Sequence, residues 1–110
     1  MTSGADRIQA HVDRFNAAVS SRSWDDYLAG LADSVQMEFV GVPVGPFDGR
    51  TAVAAAYSSN PPDDTISVVD VGAEGSTDIV RFSWTRGGSG IMRIAWTPDN
   101  LVQHQVIEFT

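Results

Sequence analysis

Asp78-Ile-Val-Arg-Phe-Ser-Trp-Thr85, Ile91-Met-Arg-Ile-Ala-Trp-Thr97 and Leu101-Val-Gln-His-Gln-Val-Ile-Glu-Phe109 are three runs rich in β-branched and aromatic residues. Gly87-Gly88-Ser89-Gly90 and Pro98-Asp99-Asn100 separate them, and such clusters favour tight turns. A fourth run, Thr65–Ala73, precedes them across Glu74-Gly75-Ser76. Together they predict an antiparallel meander of four strands. Successive side chains of a strand point to opposite faces. Val80, Phe82 and Trp84 therefore oppose Arg81, Ser83 and Thr85, while Met92, Ile94 and Trp96 oppose Arg93 and Ala95.

The chain before the meander reads differently. Ile8, Val12, Phe15 and Val19 recur every three or four residues, which predicts a helix from Ala5 to Ser20 with one apolar stripe. Arg7, Asp13, Arg14 and Asn16 fall off the stripe and are expected in water. Ser23-Trp24-Asp25-Asp26 reads as a capping box opening a second helix, with Trp24, Tyr27, Leu28 and Leu31 as its buried face. Val35–Phe39 alternates as a half-buried strand. Gly41–Gly49 holds Gly and Pro in a density that predicts a shaped loop, and Arg50–Tyr57 is a short helix stopped by Ser58-Ser59-Asn60-Pro61-Pro62. The order α-α-β-α-β-β-β-β makes an α+β fold, with residues 1–110 read as a single domain.

Arg14-Phe15-Asn16-Ala17-Ala18, then Trp24–Asp33, then a strand, then Gly45-Pro46-Phe47-Asp48-Gly49-Arg50-Thr51-Ala52-Val53 and a terminal meander resemble the nuclear transport factor 2-like superfamily. The likeness is to its small SnoaL-like and ketosteroid-isomerase-like members and covers nearly the whole chain. It implies a cone-shaped, curved antiparallel sheet wrapped around three helices, with an apolar pocket at the open end. Such a fold hosts many chemistries, so function must be argued from the site.

By that resemblance, the oxyanion-hole Tyr of ketosteroid isomerases corresponds to Phe15, the general-base Asp to Phe39, and the second oxyanion donor to Met92. Dienol chemistry needs a base and donors for the developing oxyanion. Phe, Phe and Met supply neither. The family's supporting Tyr at the end of the third helix corresponds to Tyr57, whose hydroxyl must find another partner because an unpaired buried phenol costs about 1–3 kcal/mol. Parity and the resemblance together line the pocket with Phe15, Val19, Phe39, Tyr57, Met92, Ile94, Gln105, Ile107 and Phe109.

Tyr57, Glu38 and His11 are the candidates for any relocated acid–base chemistry. Glu38 has outward parity unless a bulge re-aims it. His11 reads as a half-exposed helix residue at the pocket rim, Gln105 as a solvated or structural amide, and Asp48 as an N-cap. No metal ligand set, phosphate loop, dinucleotide fingerprint or nucleophile elbow is present, so no metal and no cofactor are expected.

Seven Arg, no Lys and fourteen acids leave a net charge of −7, which disfavours nucleic acid and anionic membrane surfaces as partners. Met1–Asp6 does not open a signal sequence, no apolar run approaches the ~18 residues of a membrane span, and a cytoplasmic location is expected. With 43% hydrophobic residues and no Cys, the chain must rely on an apolar core. The composite expectation is a pocket for a small hydrophobic molecule, whether polycyclic, polyketide, steroid or terpenoid-like. Alternatives are an isomerase or cyclase with relocated residues, and a structural dimerisation module with a filled cone. The outer sheet face of Arg81, Ser83, Arg93, Ala95, His104, Val106 and Glu108 suggests a homodimer, with Arg81 or Arg93 meeting Glu108 of the other subunit.

Overall fold

The computed structural model describes residues 4–110, so Met1–Ser3 of the segment weighed as a leader lie outside the described residues. Helix α1 (Gly4–Ser21) is followed by α2 (Asp25–Ala29), β1 (Leu31–Val40), β2 (Phe47–Asp48), α3 (Arg50–Ser59), β3 (Ile66–Glu74), β4 (Thr77–Trp84), β5 (Ser89–Trp96) and β6 (Val102–Phe109). The six strands form one curved, unclosed sheet in the order β2-β1-β6-β5-β4-β3. This is the expected α+β cone, with the four-strand meander intact.

The sheet is not wholly antiparallel. Strand β1 pairs in parallel with β6, because α3 carries the chain across the sheet before the meander returns beside the first strand. All other pairings are antiparallel. Bulges interrupt β1 between Leu31 and Gln36 and β6 beside Trp96. At that place Gln103 donates its side-chain amide to the Ser34 carbonyl at 3.2 Å, tying the two irregular segments together. Bulges of this kind bend and twist a sheet locally. Here they turn Val102 and Gln105 inward while Gln103 and His104 face out.

The helices cover the concave face. Ile8 and Val12 of α1 are buried, as are Val53 and Tyr57, one turn apart on α3. They meet Leu31, Val35 and Met37 of β1, Val80 and Phe82 of β4, Met92 and Ile94 of β5, and Val102 of β6. Gly49 enters α3 at φ 96°, a conformation L side chains rarely adopt. Its N–H donates to the Val35 carbonyl at 2.7 Å, so the Phe-Asp-Gly-Arg turn is pinned to β1.

Several local expectations change. The strand begins at Leu31 rather than Val35, and α2 has only five residues. Leu31 is therefore buried by the sheet and not by a helix face. Trp24, not Ser23, occupies the N-cap of α2, and no side chain caps it. Asp48 lies in β2 and leaves the cap of α3 to Gly49. Arg7 and Asn16 are not free in water. Arg7 Nε donates to Asp78 Oδ2 at 2.9 Å, and Asn16 exchanges two hydrogen bonds with the backbone of Ile66, 2.8 and 2.9 Å. Both tie α1 to the meander over long sequence separations, which helical periodicity does not register.

Candidate functional site

The helices and the sheet enclose a cavity of about 60 Å³. Its wall is made by Val12 and Phe15 of α1, Tyr27 of α2, Phe39 of β1, Tyr57 of α3 and Pro62. Ile66, Phe82, Trp84, Met92, Ile107 and Phe109 contribute from the meander. His11 and Gln105 complete the lining. The space holds a few water molecules or a small fragment. Ligand pockets usually measure about 300–1,000 Å³. Aromatic rings fill most of the cone.

Two ring clusters account for the filling. At the closed side, Tyr27 packs against His11, Phe15, Trp24 and Tyr57, with ring centroids 5.3–5.9 Å apart. At the open side, Phe109 lies between Phe39 and Trp84, nearly parallel to both, at 6.5 and 6.2 Å. Trp84 is on β4, two strands from β6, and Gly90 of β5 lies in the region between. A Cβ on Gly90 would come within 2.6 Å of the Phe82 ring and 2.8 Å of the Glu108 carbonyl. The missing side chain is the space the rings use. Phe109 remains 38% exposed and forms part of the mouth.

Phe15, Phe39, Tyr57, Met92, Gln105, Ile107 and Phe109 meet around the cavity. Val19 and Ile94 do not. Val19 lines a neighbouring groove between the three helices, which shares Tyr57 and Pro62 with the cavity. Ile94 is fully buried in the core below the cavity lining. Glu38 faces outward as its parity requires, 2.9 Å from Nε2 of His104. The Tyr57 hydroxyl finds its partner in the Met37 sulfur at 3.4 Å, and it also interacts with the Tyr27 hydroxyl. Burial pushes the Tyr57 phenol up to about 12, with Tyr27 pulling the other way. Burial raises Tyr27 as well. Both phenols stay protonated near neutrality.

His11 is the largest departure from the sequence reading, since it is 3% exposed and faces the cavity instead of the rim. Its Nε2 lies 3.2 Å from Gln105 Oε1, and the Gln105 amide nitrogen lies 3.2 Å from the Met92 sulfur. Gln105 is thus a buried link between two cavity residues, not a solvated amide. Burial lowers the imidazole from 6.5 to about 4, the Gln105 bond opposes that shift, and Arg14 adds to it. The ring is neutral at pH 7. Its Nδ1 is a buried polar atom with no hydrogen-bond partner. Ile8 three residues before and Phe15 four after place His11 on the apolar stripe, so the spacing marked a position that its residue type obscured. Tyr27, Phe82 and Trp84 were also missed as lining: they carried core-like patterns, and only the closing of the sheet brings them to a cavity.

Among the described residues, no group of three or more His, Cys, Asp or Glu is placed to hold a metal ion. Among the same residues, no helix is long and apolar enough to cross a membrane.

A cone of helices and curved sheet around an aromatic cavity defines a nuclear transport factor 2-like architecture. Residues 12–108 match the SnoaL-like domain model, and the chain belongs to that family. A SnoaL-like protein of unknown function from Burkholderia thailandensis is 19% identical, with 98% of this chain and 97% of that one covered at a TM-score of 0.73. A Mycobacterium tuberculosis protein solved in complex with estradiol-17beta-hemisuccinate is 14% identical over 92% of each chain, TM-score 0.69. The epoxide hydrolase/cyclase-like enzyme SalBIII, of pyran ring formation in the polyether salinomycin, is 17% identical over all of this chain and 95% of its own, TM-score 0.71. At such identities the likeness is one of fold. No curated protein matches the chain.

Proposed function

We propose that the protein acts as one domain whose cone binds a small hydrophobic molecule without the usual ketosteroid isomerase acid–base set. The observation that carries this reading is the cavity lining. Apart from His11, Gln105, Tyr27 and Tyr57, every lining side chain is apolar or the indole of Trp84, and the mouth is a stack of rings. A single-ring molecule is larger than this space and enters only if the lining rings shift. A polycyclic, polyketide, steroid or terpenoid-like molecule needs Phe109 to turn outward first. The steroid complex of the mycobacterial structure supports this partner class by fold analogy.

The test is a thermal-shift series with toluene, phenol, camphor and progesterone, followed by quenching of tryptophan fluorescence. A ligand that binds only the native state stabilises it by about 2.7 kcal/mol at a hundred times Kd. Saturable stabilisation by at least one single-ring probe is expected. No shift with any probe would refute the reading and leave a structural module with a filled cone. A second reading is favoured by the unpartnered His11 Nδ1: an isomerase or cyclase in which His11 takes the proton, which a pH–rate profile on a turned-over substrate would test.

The outer sheet face is proposed as a homodimer contact through Ala95 and Val106. The charges there are not its basis, since Arg93 and Glu108 pair within one chain at 3.6 Å. A cytoplasmic location belongs to the same proposal.

A further inference from the structure

The neutral imidazole of His11 carries one proton, and the groups around it decide which nitrogen holds it. The Gln105 amide has two orientations. With its oxygen toward His11, its NH₂ donates to the Met92 sulfur at 3.2 Å. Turned over, it would set an oxygen acceptor against a sulfur acceptor. Met92 therefore orients the amide, the oxygen faces His11 Nε2 at 3.2 Å, and that nitrogen must donate. Nδ1 is left as a bare acceptor.

No side chain donates to it, and the aromatic donors around it are engaged elsewhere. The Trp96 indole N–H donates to Asp78 Oδ2 at 2.8 Å. The Tyr57 hydroxyl donates to Met37, and the Tyr27 hydroxyl interacts with that of Tyr57. The rings that face His11 are Tyr27, stacked at 5.4 Å, and Trp96, edge-on at 6.1 Å. Neither presents a free hydrogen. His11 lines the cavity, so an occupant that shifts its ring can bring in the donor that the buried Nδ1 lacks.

We propose that His11 Nδ1 is the polar anchor of the cone, and that it selects a hydrophobic molecule bearing a hydroxyl donor, such as a phenol, enol or alcohol, over an ether or hydrocarbon of the same shape. Gln105 is the positioning residue that sets the tautomer. This deepens the ligand-binding reading and rests on it. Selectivity follows from the asymmetry of hydrogen bonding: an ether oxygen or methyl group leaves Nδ1 buried and unpaired, whereas a hydroxyl satisfies it.

The experiment measures Kd for phenol, anisole and toluene by isothermal titration on the wild type, His11→Phe and Gln105→Leu. The Phe variant keeps a ring against Tyr27 and Trp96. The phenol-to-anisole preference is expected to fall about 10-fold or more between wild type and His11→Phe, the scale of one unpaired buried group. Gln105→Leu should lower it too, because the proton is then free to move to Nδ1. Nitrogen-15 spectra of the wild type need no variant. They should show Nδ1 of His11 as the unprotonated nitrogen, with its resonance moved by phenol and not by toluene. Equal preference in wild type and His11→Phe, or a protonated Nδ1, would overturn the proposal while leaving cone binding intact. If neither phenol nor toluene binds, the ligand-binding reading itself fails.

Discussion

His11 should make the stability of this protein fall as the solution is acidified through the range where an unfolded histidine gains its proton. Its folded value is about 4 against an ordinary 6.5. Below pH 6.5 the unfolded chain binds a proton that the folded chain refuses, so stability is complete above that pH and is lost as the pH falls toward 4. The gap corresponds to about 3 kcal/mol at its full extent, of which roughly half is gone by pH 5.5. His11→Phe removes the titrating group and keeps the stacked ring. Urea unfolding followed by tryptophan fluorescence, every half unit from pH 7.5 to 4.5, gives the two stability curves. Everything else that titrates is common to both proteins and cancels in the difference. The wild-type curve should descend more steeply, and the difference should approach the full 3 kcal/mol by the acid end. Parallel curves would mean that His11 is hydrated and ordinary, and the burial argument would be refuted.

Asp78→Ala should cost about 2–3 kcal/mol, because it strands the Arg7 guanidinium and the Trp96 indole N–H that both reach Oδ2; an unchanged urea midpoint would remove that pair from the account. Gly90→Ala should destabilise by about 1–3 kcal/mol through the clash with Phe82, and Phe82→Leu in the same chain should recover part of the loss. Wild type should show no Δ5-3-ketosteroid isomerase activity above background, since Phe15, Phe39 and Met92 offer no base or oxyanion donor; a rate near that of ordinary isomerases would defeat that residue-by-residue comparison. Sedimentation equilibrium at micromolar concentration should give twice the monomer mass and Val106→Asp should halve it, whereas a monomer at all concentrations would end the dimer proposal.

What the sequence disclosed and what it hid divide along a physical line. Alternation in β4, β5 and β6 and the Ile8–Val12 stripe report which side of an element is dry, and the sheet and α1 follow them. Gly49 was visible as part of a shaped turn, yet its attachment to the Val35 carbonyl was not. Asn16 with Ile66 and Arg7 with Asp78 join residues 50 and 71 positions apart. Nothing in local periodicity encodes such pairs. His11 failed differently. Its spacing was right for the core, but a polar residue is normally placed in water unless a partner is known, and that partner, Gln105, is 94 positions away. The size of the cavity was equally hidden, because it depends on how Phe109, Trp84 and Phe39 stack once three strands are aligned.

The parallel pairing of β1 with β6 has a consequence for how the chain is made. Translation delivers Leu31 long before Val102, its partner, 71 positions later. Closing so long a loop is entropically slow, and contacts of this kind delay folding. Until β6 emerges from the ribosome, β1 and β5 present open edges, and the rings destined for the cone have no wall against them. Gln105 arrives on that same strand. The nascent protein therefore acquires the Gln105 partner of His11, and with it any preference for one ligand over another, only when β6 docks.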